Sequence, residues 1–227
     1  MKLSIVIPIY NEEALLPRVL ERVRKLPFEK ELILVDDCSQ DKTWQILQQE
    51  AATHPDTIIL HHEKNQGKGA SIRTGLEHVT GDIVIVQDAD LEYNPEDIPA
   101  VIAPIIAGQV KVAYGSRFLG SIKKMRLPNR VANHLLAWLV SLLYGQKITD
   151  EATAYKAFRT EVIKEIKLNC TRFEFCPEVT AKVLKKGYNI IETPVGFEAR
   201  TFEEGKKIGW RDFFVAVYIL LKYRVMD

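Results

Sequence analysis

The sequence predicts an α/β fold: a mostly parallel sheet flanked by helices, with amphipathic helices towards the C-terminal end. Three observations predict it. Short aliphatic runs alternate with helical segments along the first half of the chain, the pattern from which parallel sheets are built. Those runs are apolar at successive positions, as in strands buried on both faces. Carboxylates follow two of them directly, Asp36-Asp37 and Asp88-Ala89-Asp90, at the strand ends where open α/β sheets bind ligands.

In chain order, Leu3 to Ile7 reads as a strand ended by Pro8. Glu12 to Leu26 has helical, amphipathic spacing. Glu31 to Val35 is a second buried strand. Asp41 to Ala52 is helical, with Ser39 or Asp41 as the N-cap. Thr57 to Leu60 is a third strand, closed by His61-His62. Gly67 to Val79 opens on glycines and continues as a helix. Ile83 to Gln87 is the fourth strand, Glu96 to Ala107 a helix closed by Gly108, and Val110 to Gly115 a fifth strand. After Ser116 the pattern changes. Lys123, Lys124, Arg126 and Arg130 cluster around Pro128, and a strongly apolar helix spans Val131 to Leu143. Ala154 to Phe158 reads as a strand, Cys176 to Lys186 as a helix, and Tyr188 to Phe197 as a strand with Pro194 at a bulge or edge. A charged loop, Arg200 to Gly209, precedes an apolar-aromatic helix from Trp210 to Val225.

With 227 residues and 47% hydrophobic content, the chain suits one domain with a substantial core. The change of pattern after Ser116 divides it into two halves, 1–118 and 119–227. A net charge of +1 gives no case for nucleic-acid binding. The 3 cysteines, Cys38, Cys170 and Cys176, lack zinc spacing and suggest a reducing, cytoplasmic setting. The start, MKLSIVIPIYNEE, is too interrupted for a signal peptide and reads as the first core strand. No apolar run approaches the roughly 20 residues that span a bilayer. Membrane contact is therefore expected to be peripheral. The two apolar helices have basic borders, which suit an anionic membrane surface; they also suit a dimer interface or completion of the core. A homo-oligomer or a membrane-protein partner stays open.

Asp88 and Asp90 stand one residue apart after a buried strand, where like charges repel unless a cation neutralises them. Hard carboxylate oxygens suit Mg²⁺ or Mn²⁺, which in turn bind phosphates. The same predicted rim collects Tyr10, a ring for stacking, Glu12, an acceptor, and Asp37, an acceptor for a base N–H or a ribose hydroxyl. Gly67 and Gly69 would let backbone approach a ligand whose charge Lys68 counters. Neither G-x-G-x-x-G nor the P-loop pattern is present. Glu174 and Glu178 read as a solvated or structural pair.

Together, SIVIPIYNEE, LILVDDCSQDKT, NQGKGASIRTGLEHVTGDIVIVQDADLEYNPEDIP and YGSRF resemble the family 2 glycosyltransferases of GT-A fold, and within them the dolichol- and polyprenyl-phosphate mannose and glucose synthases. The resemblance implies a hexosyltransferase that moves mannose or glucose from a GDP- or UDP-hexose to a polyprenyl phosphate, inverting the anomeric centre. It implies that Pro8, Tyr10, Glu12, Val35 and Asp37 form the nucleoside pocket. Asp88, Ala89 and Asp90 would lie at the ribose and diphosphate, with Asp90 on the metal and Glu92, where those synthases usually have Gln, as a further metal ligand. Arg117, Arg130 and Arg200, with Lys206 as a weaker member, match basic positions that grip donor and acceptor phosphates. A lipid-phosphate acceptor is already anionic and needs no base. The alternative is a hydroxyl acceptor with Asp150 as general base. A sugar-1-phosphate nucleotidylyltransferase and a silent nucleotide-sugar-binding module are weaker readings. The enzyme would sit at the cytoplasmic face of a membrane.

Overall fold

The computed structural model describes residues 1–200 and 209–226. In chain order the elements are β1 (Leu3–Ile9), α1 (Leu16–Arg24), β2 (Lys30–Asp36), α2 (Thr43–Thr53), β3 (Thr57–His61), α3 (Lys68–Leu76) and β4 (Ile83–Val86). A 3-10 turn at Pro95–Asp97 leads into α4 (Ile98–Ile106). Then follow β5 (Val112–Lys123), α5 (Leu127–Tyr144), β6 (Lys156–Arg159), α6 (Thr160–Lys164), α7 (Phe175–Lys185), β7 (Ile190–Glu198) and α8 (Trp210–Val225).

The strands form one 7-stranded sheet in the order β3-β2-β1-β4-β6-β5-β7. The pairs β1–β2, β1–β4, β2–β3 and β5–β7 are parallel. Only β6 runs the other way, antiparallel to β4 and to β5. The mostly parallel sheet is therefore as expected, with one reversed strand from the later part of the chain wedged between two from the earlier part.

Burial on both faces explains the continuous apolar runs. Ile5, Ile7 and Ile9 of β1 pack into one core beneath α1 and α4, whereas Val6 packs into the other with Ile33, Val35, Val84 and Val86. A third cluster joins α5, α7 and α8 through Leu136, Val140, Ala181, Ala216 and Leu220.

Several expected boundaries move, each for a physical reason. β1 does not stop at Pro8 but runs to Ile9. Val6 O accepts from Gln87 N on the β4 side and Ile9 O from Asp37 N on the β2 side. Pro8 faces the β4 side, past the end of that strand at Val86, so its missing N–H breaks no ladder bond. α1 starts at Leu16 rather than Glu12, because Glu12 and Glu13 donate their N–H groups to Thr43 Oγ1 and Asp41 Oδ2 across the rim. α2 starts at Thr43 with Lys42 at its N-cap, not Ser39 or Asp41; Asp41 accepts from Thr43 N at 3.0 Å from one position further out. β5 continues well beyond Gly115 to Lys123. Its later part pairs with β7, after a register shift between Ser116 and Ser121 that falls opposite Pro194 to Gly196. The close approach there needs Gly120, where a Cβ would lie 2.1 Å from Val195 O. Pro194 thus lies both on an edge strand and at an irregularity. The short helix α6 has no counterpart in the sequence reading.

Candidate active site

The carboxyl ends of β1, β2 and β4 form a rim, and the loops beyond them are stitched together. Asn11, at φ 52°, donates its N–H to Ser39 Oγ at 2.9 Å and accepts from Gln40 N at 2.8 Å. Asn tolerates this left-handed backbone better than most side chains. Tyr10 lies half-buried on this rim, while Pro8 is buried in β1.

Two residues expected in the nucleoside pocket have other work. Val35 is fully buried in the core, where a Cβ at Gly75 would lie 3.2 Å from its Cγ2. Asp37 is buried and organises the following loop. Its carboxylate accepts from Gln66 N at 2.8 Å and Gly67 N at 2.7 Å, and lies 2.8 Å from His62 Nδ1. His61 pairs likewise with Asp36 at 2.8 Å, so both histidines are strand-end residues, as expected. Gly67 and Gly69 also differ from expectation. Gly67 has φ 93°, and Cβ atoms at the two positions would lie 2.5 Å from Thr171 O and 2.7 Å from Arg172 O. The glycines admit the chain's own 171–172 segment.

Asp88 and Asp90 end β4 side by side, each held by a cation. Lys68 Nζ lies 2.6 Å from Asp88 Oδ1. Arg200 Nη2 donates to Asp90 Oδ2 at 2.6 Å and Nη1 to Glu12 Oε1 at 3.1 Å. Arg200 N donates to Glu92 Oε1 at 2.7 Å, and Glu92 N to Asp90 Oδ1 at 3.1 Å. The carboxyl of Asp90 is pushed up to about 7 by burial and the neighbouring Asp88 charge, which outweigh Arg200 and Lys68. Burial is the larger of the two causes. Glu92 thus has one carboxylate oxygen on the Arg200 backbone. Among the described residues, no group of three or more His, Cys, Asp or Glu side chains is set to hold a metal ion.

Further along the rim, Arg117 and Asp150 form a buried clamp. Arg117 donates from Nε and Nη2 to the two Asp150 oxygens, each at 2.7 Å, and from its backbone N at 3.0 Å. Asp150 is fully buried. Glu192, a lone acid in the apolar run of β7, holds the other side of this loop: it accepts from Thr149 N at 2.7 Å and Asp150 N at 2.9 Å. Sequence reasoning passed over it, although an acid inside Ile190-Ile191-Glu192 was the available signal. Glu178, expected at most to be a solvated or structural pair member, is buried and accepts from Asn169 N and Cys170 N, a structural role.

Arg130, exposed on the first turn of α5, does not touch Asp88 or Asp90. It lines a separate basic pocket of about 250 Å³ with Arg117, Phe118, Gly120, Ile122 and His134. Lys206 and the 201–208 loop lie outside the described residues. The three cysteines are free.

This arrangement of carboxylates and cations on a parallel-sheet rim agrees with the comparisons. Residues 4–167 match glycosyl transferase family 2. The chain belongs to that family, and its architecture is that of the GT-A glycosyltransferases. It is 29% identical over 233 residues to the dolichol-phosphate mannosyltransferase of Pyrococcus furiosus, covering 98% of this chain and 64% of that one. The chain thus spans less than two thirds of that relative. It is 31% identical to the UDP-N-acetylglucosamine–dolichyl-phosphate N-acetylglucosaminyltransferase of Methanococcus voltae, covering 84% and 83%. Among solved structures, glucosyl-3-phosphoglycerate synthase from Mycobacterium tuberculosis, in complex with Mn²⁺, UDP and its product, superposes with a TM-score of 0.77 at 19% identity. That match covers 100% of this chain and 81% of the other.

Proposed function

We propose that this protein transfers a hexose from a GDP- or UDP-sugar to a polyprenyl phosphate at a membrane surface. The observation that carries the reading is the basic pocket beside the rim. Arg117 and Arg130 line it, and no carboxylate does among the described residues. The nearest acid in the sequence reading, Asp150, is locked in the Arg117 clamp. Two arginines lining one pocket suit an acceptor oxygen that is already an anion. The names of the archaeal relatives, both acting on dolichyl phosphate, support the same acceptor class.

In this reading residues 1–118 form the nucleotide-sugar-binding half and 119–227 the acceptor- and membrane-facing half, with Arg117 and Arg200 each serving the other half's substrate. Tyr10 and Glu12 flank the nucleoside, while Pro8, Val35 and Asp37 shape its pocket from beneath through backbone and loop. Lys68 and Arg200 grip the diphosphate, with Arg200 Nε, buried and without a protein partner, available to it. Asp88 and Asp90 suit Mg²⁺ or Mn²⁺: their oxygens are hard donors and stand one residue apart at the end of β4. Such an ion would stabilise the charge that grows on the departing nucleoside diphosphate. The acceptor oxygen, held by Arg117 and Arg130, attacks the anomeric carbon as the bond to the diphosphate breaks, inverting that centre.

The outer faces of α5 and α8 support membrane contact. Leu127, Val131, Leu135, Trp138 and Leu142 form one exposed stripe, and Trp210, Phe214, Tyr218, Leu221 and Val225 another. No helix among the described residues is long and apolar enough to cross a membrane, and in this reading α5 and α8 lie along the membrane surface.

The test is a turnover assay with Mg²⁺ or Mn²⁺, a panel of GDP- and UDP-sugars, and a prenyl phosphate present or withheld. Nucleoside diphosphate release that requires the lipid phosphate is the expected result; release indifferent to it sinks the acceptor assignment. Asp150→Asn separates the alternatives. As a clamp residue it raises KM for the acceptor about tenfold, while loss of three or more orders of magnitude in kcat, with KM unchanged, would restore the general-base reading.

A further inference from the structure

We infer that an apolar cavity beside α5 receives the first isoprene units of the acceptor. The inference rests on the lipid-phosphate reading and extends it from the head of the acceptor to its chain. The cavity measures about 680 Å³, and its walls include Phe118, His134, Ala137, Trp138, Lys147 and Ile148. Phe118 and His134 also line the basic pocket. Their rings pack with centroids 4.1 Å apart, so the two spaces share one wall. An anion seated by Arg130 has the apolar cavity directly beyond that wall.

The local fold explains the cavity. α5 ends at Gly145, whose φ of 75° is left-handed and turns the chain back along the helix. The returning 145–149 segment forms the opposite wall.

Two of its polar side chains are already committed. Ser141 Oγ donates to Ala137 O at 2.8 Å and accepts from Ile148 N at 3.2 Å. Thr149 Oγ1 lies 2.6 Å from Ser116 Oγ and donates to Glu192 Oε2 at 3.0 Å. A glycan in this cavity would find Ser141 and Thr149 already spent, and each hydroxyl left unpaired there is costly. A hydrocarbon loses nothing there and gains burial. Trp138, on the wall, also belongs to the exposed stripe with Leu135 and Leu142. A chain that fills the cavity therefore leaves it onto the same apolar face that meets the bilayer.

The test uses the full chain and water-soluble acceptors of increasing length: dimethylallyl, geranyl and farnesyl monophosphate. We expect kcat/KM to rise about tenfold or more from the first to the last, as apolar burial grows. Lys147 has no ion pair among the described residues, so Lys147→Trp fills the cavity without breaking one. This variant should bring the farnesyl-to-dimethylallyl ratio close to one. Farnesyl phosphate, without donor, should also shift tryptophan fluorescence in a way that inorganic phosphate does not, and Trp138→Phe should remove that shift. Turnover of all three acceptors at equal kcat/KM overturns the cavity assignment and leaves the lipid-phosphate reading standing. An unchanged ratio in Lys147→Trp does the same. No turnover with any prenyl phosphate overturns both.

Discussion

Glu151 is fully buried, and neither of its carboxylate oxygens has a hydrogen-bond partner among the described residues. Burial pushes its carboxyl up to about 7 from 4.5; Lys156 opposes that rise and Asp150 adds to it. Lys156 Nζ is spent on Glu151 O at 2.7 Å and Thr180 Oγ1 at 3.2 Å. The unfolded chain ionises at lower pH than the folded one, so folding takes up a proton between about 4.5 and 7. Stability associated with this group is full below that window and falls as pH rises through it. Glu151→Gln removes the slope. Thermal unfolding should show little difference near pH 4 and a variant more stable by roughly 1–3 kcal/mol above pH 7; a variant less stable at pH 8 contradicts the assignment. At this scale the sequence was legible in residue type and less so in role. Asp88, Asp90, Lys68 and Arg200 converge as the motifs suggested. Val35 and Asp37 stand where expected along the chain, yet one side chain faces the core and the other the loop that follows. Strand register decides which way a side chain points, and a motif does not contain it.

Among the elements, β5 and β7 carry the most that the sequence left unread. The expected strand ended at Gly115, since polar, glycine-containing residues follow it. The strand runs on because β7 offers a partner, and the bulge at Ser116 to Ser121 carries Arg117 and Phe118 to the pocket wall. Gly120 permits this approach. We expect Gly120→Ala to cost about 2–4 kcal/mol, because a Cβ would meet the Val195 backbone, which cannot give way as a side chain could. Chemical denaturation should show it as a lower midpoint at unchanged m-value. A variant within about 0.5 kcal/mol of wild type would show that the strand relaxes there at no cost. α5 and α8 were legible as helices from their apolar content. Their inner faces, Leu136 and Val140 on one and Ala216 and Leu220 on the other, complete the core. The outer stripes do not.

For the molecule as a whole, those stripes and the basic residues beside them belong to one surface, because α8 packs against α5. Arg126 and Arg130 border one helix, Arg211, Lys222 and Arg224 the other. A bilayer-facing plane of this kind should bind anionic vesicles and release them as salt rises, with weaker binding to zwitterionic ones. Co-sedimentation measures both. Trp138→Asp together with Phe214→Asp should lower the bound fraction severalfold. Equal binding of that double variant would place membrane contact elsewhere, and self-association of the wild type without vesicles would make the surface a subunit interface.

The sequence by itself determined the strand–helix alternation, the family, and the charged motifs at the strand ends. Those features are local: each depends on residues close together along the chain, where periodicity and spacing are read directly. Tertiary structure decided what distant segments do to one another. It reversed β6 between β4 and β5, brought Arg200 onto Asp90 and Glu12, and closed Arg117 onto Asp150 with Glu192 behind the loop. It also opened the basic pocket and its apolar neighbour on either side of Phe118 and His134. Those arrangements arise from packing between residues far apart in sequence, and no local pattern specifies them.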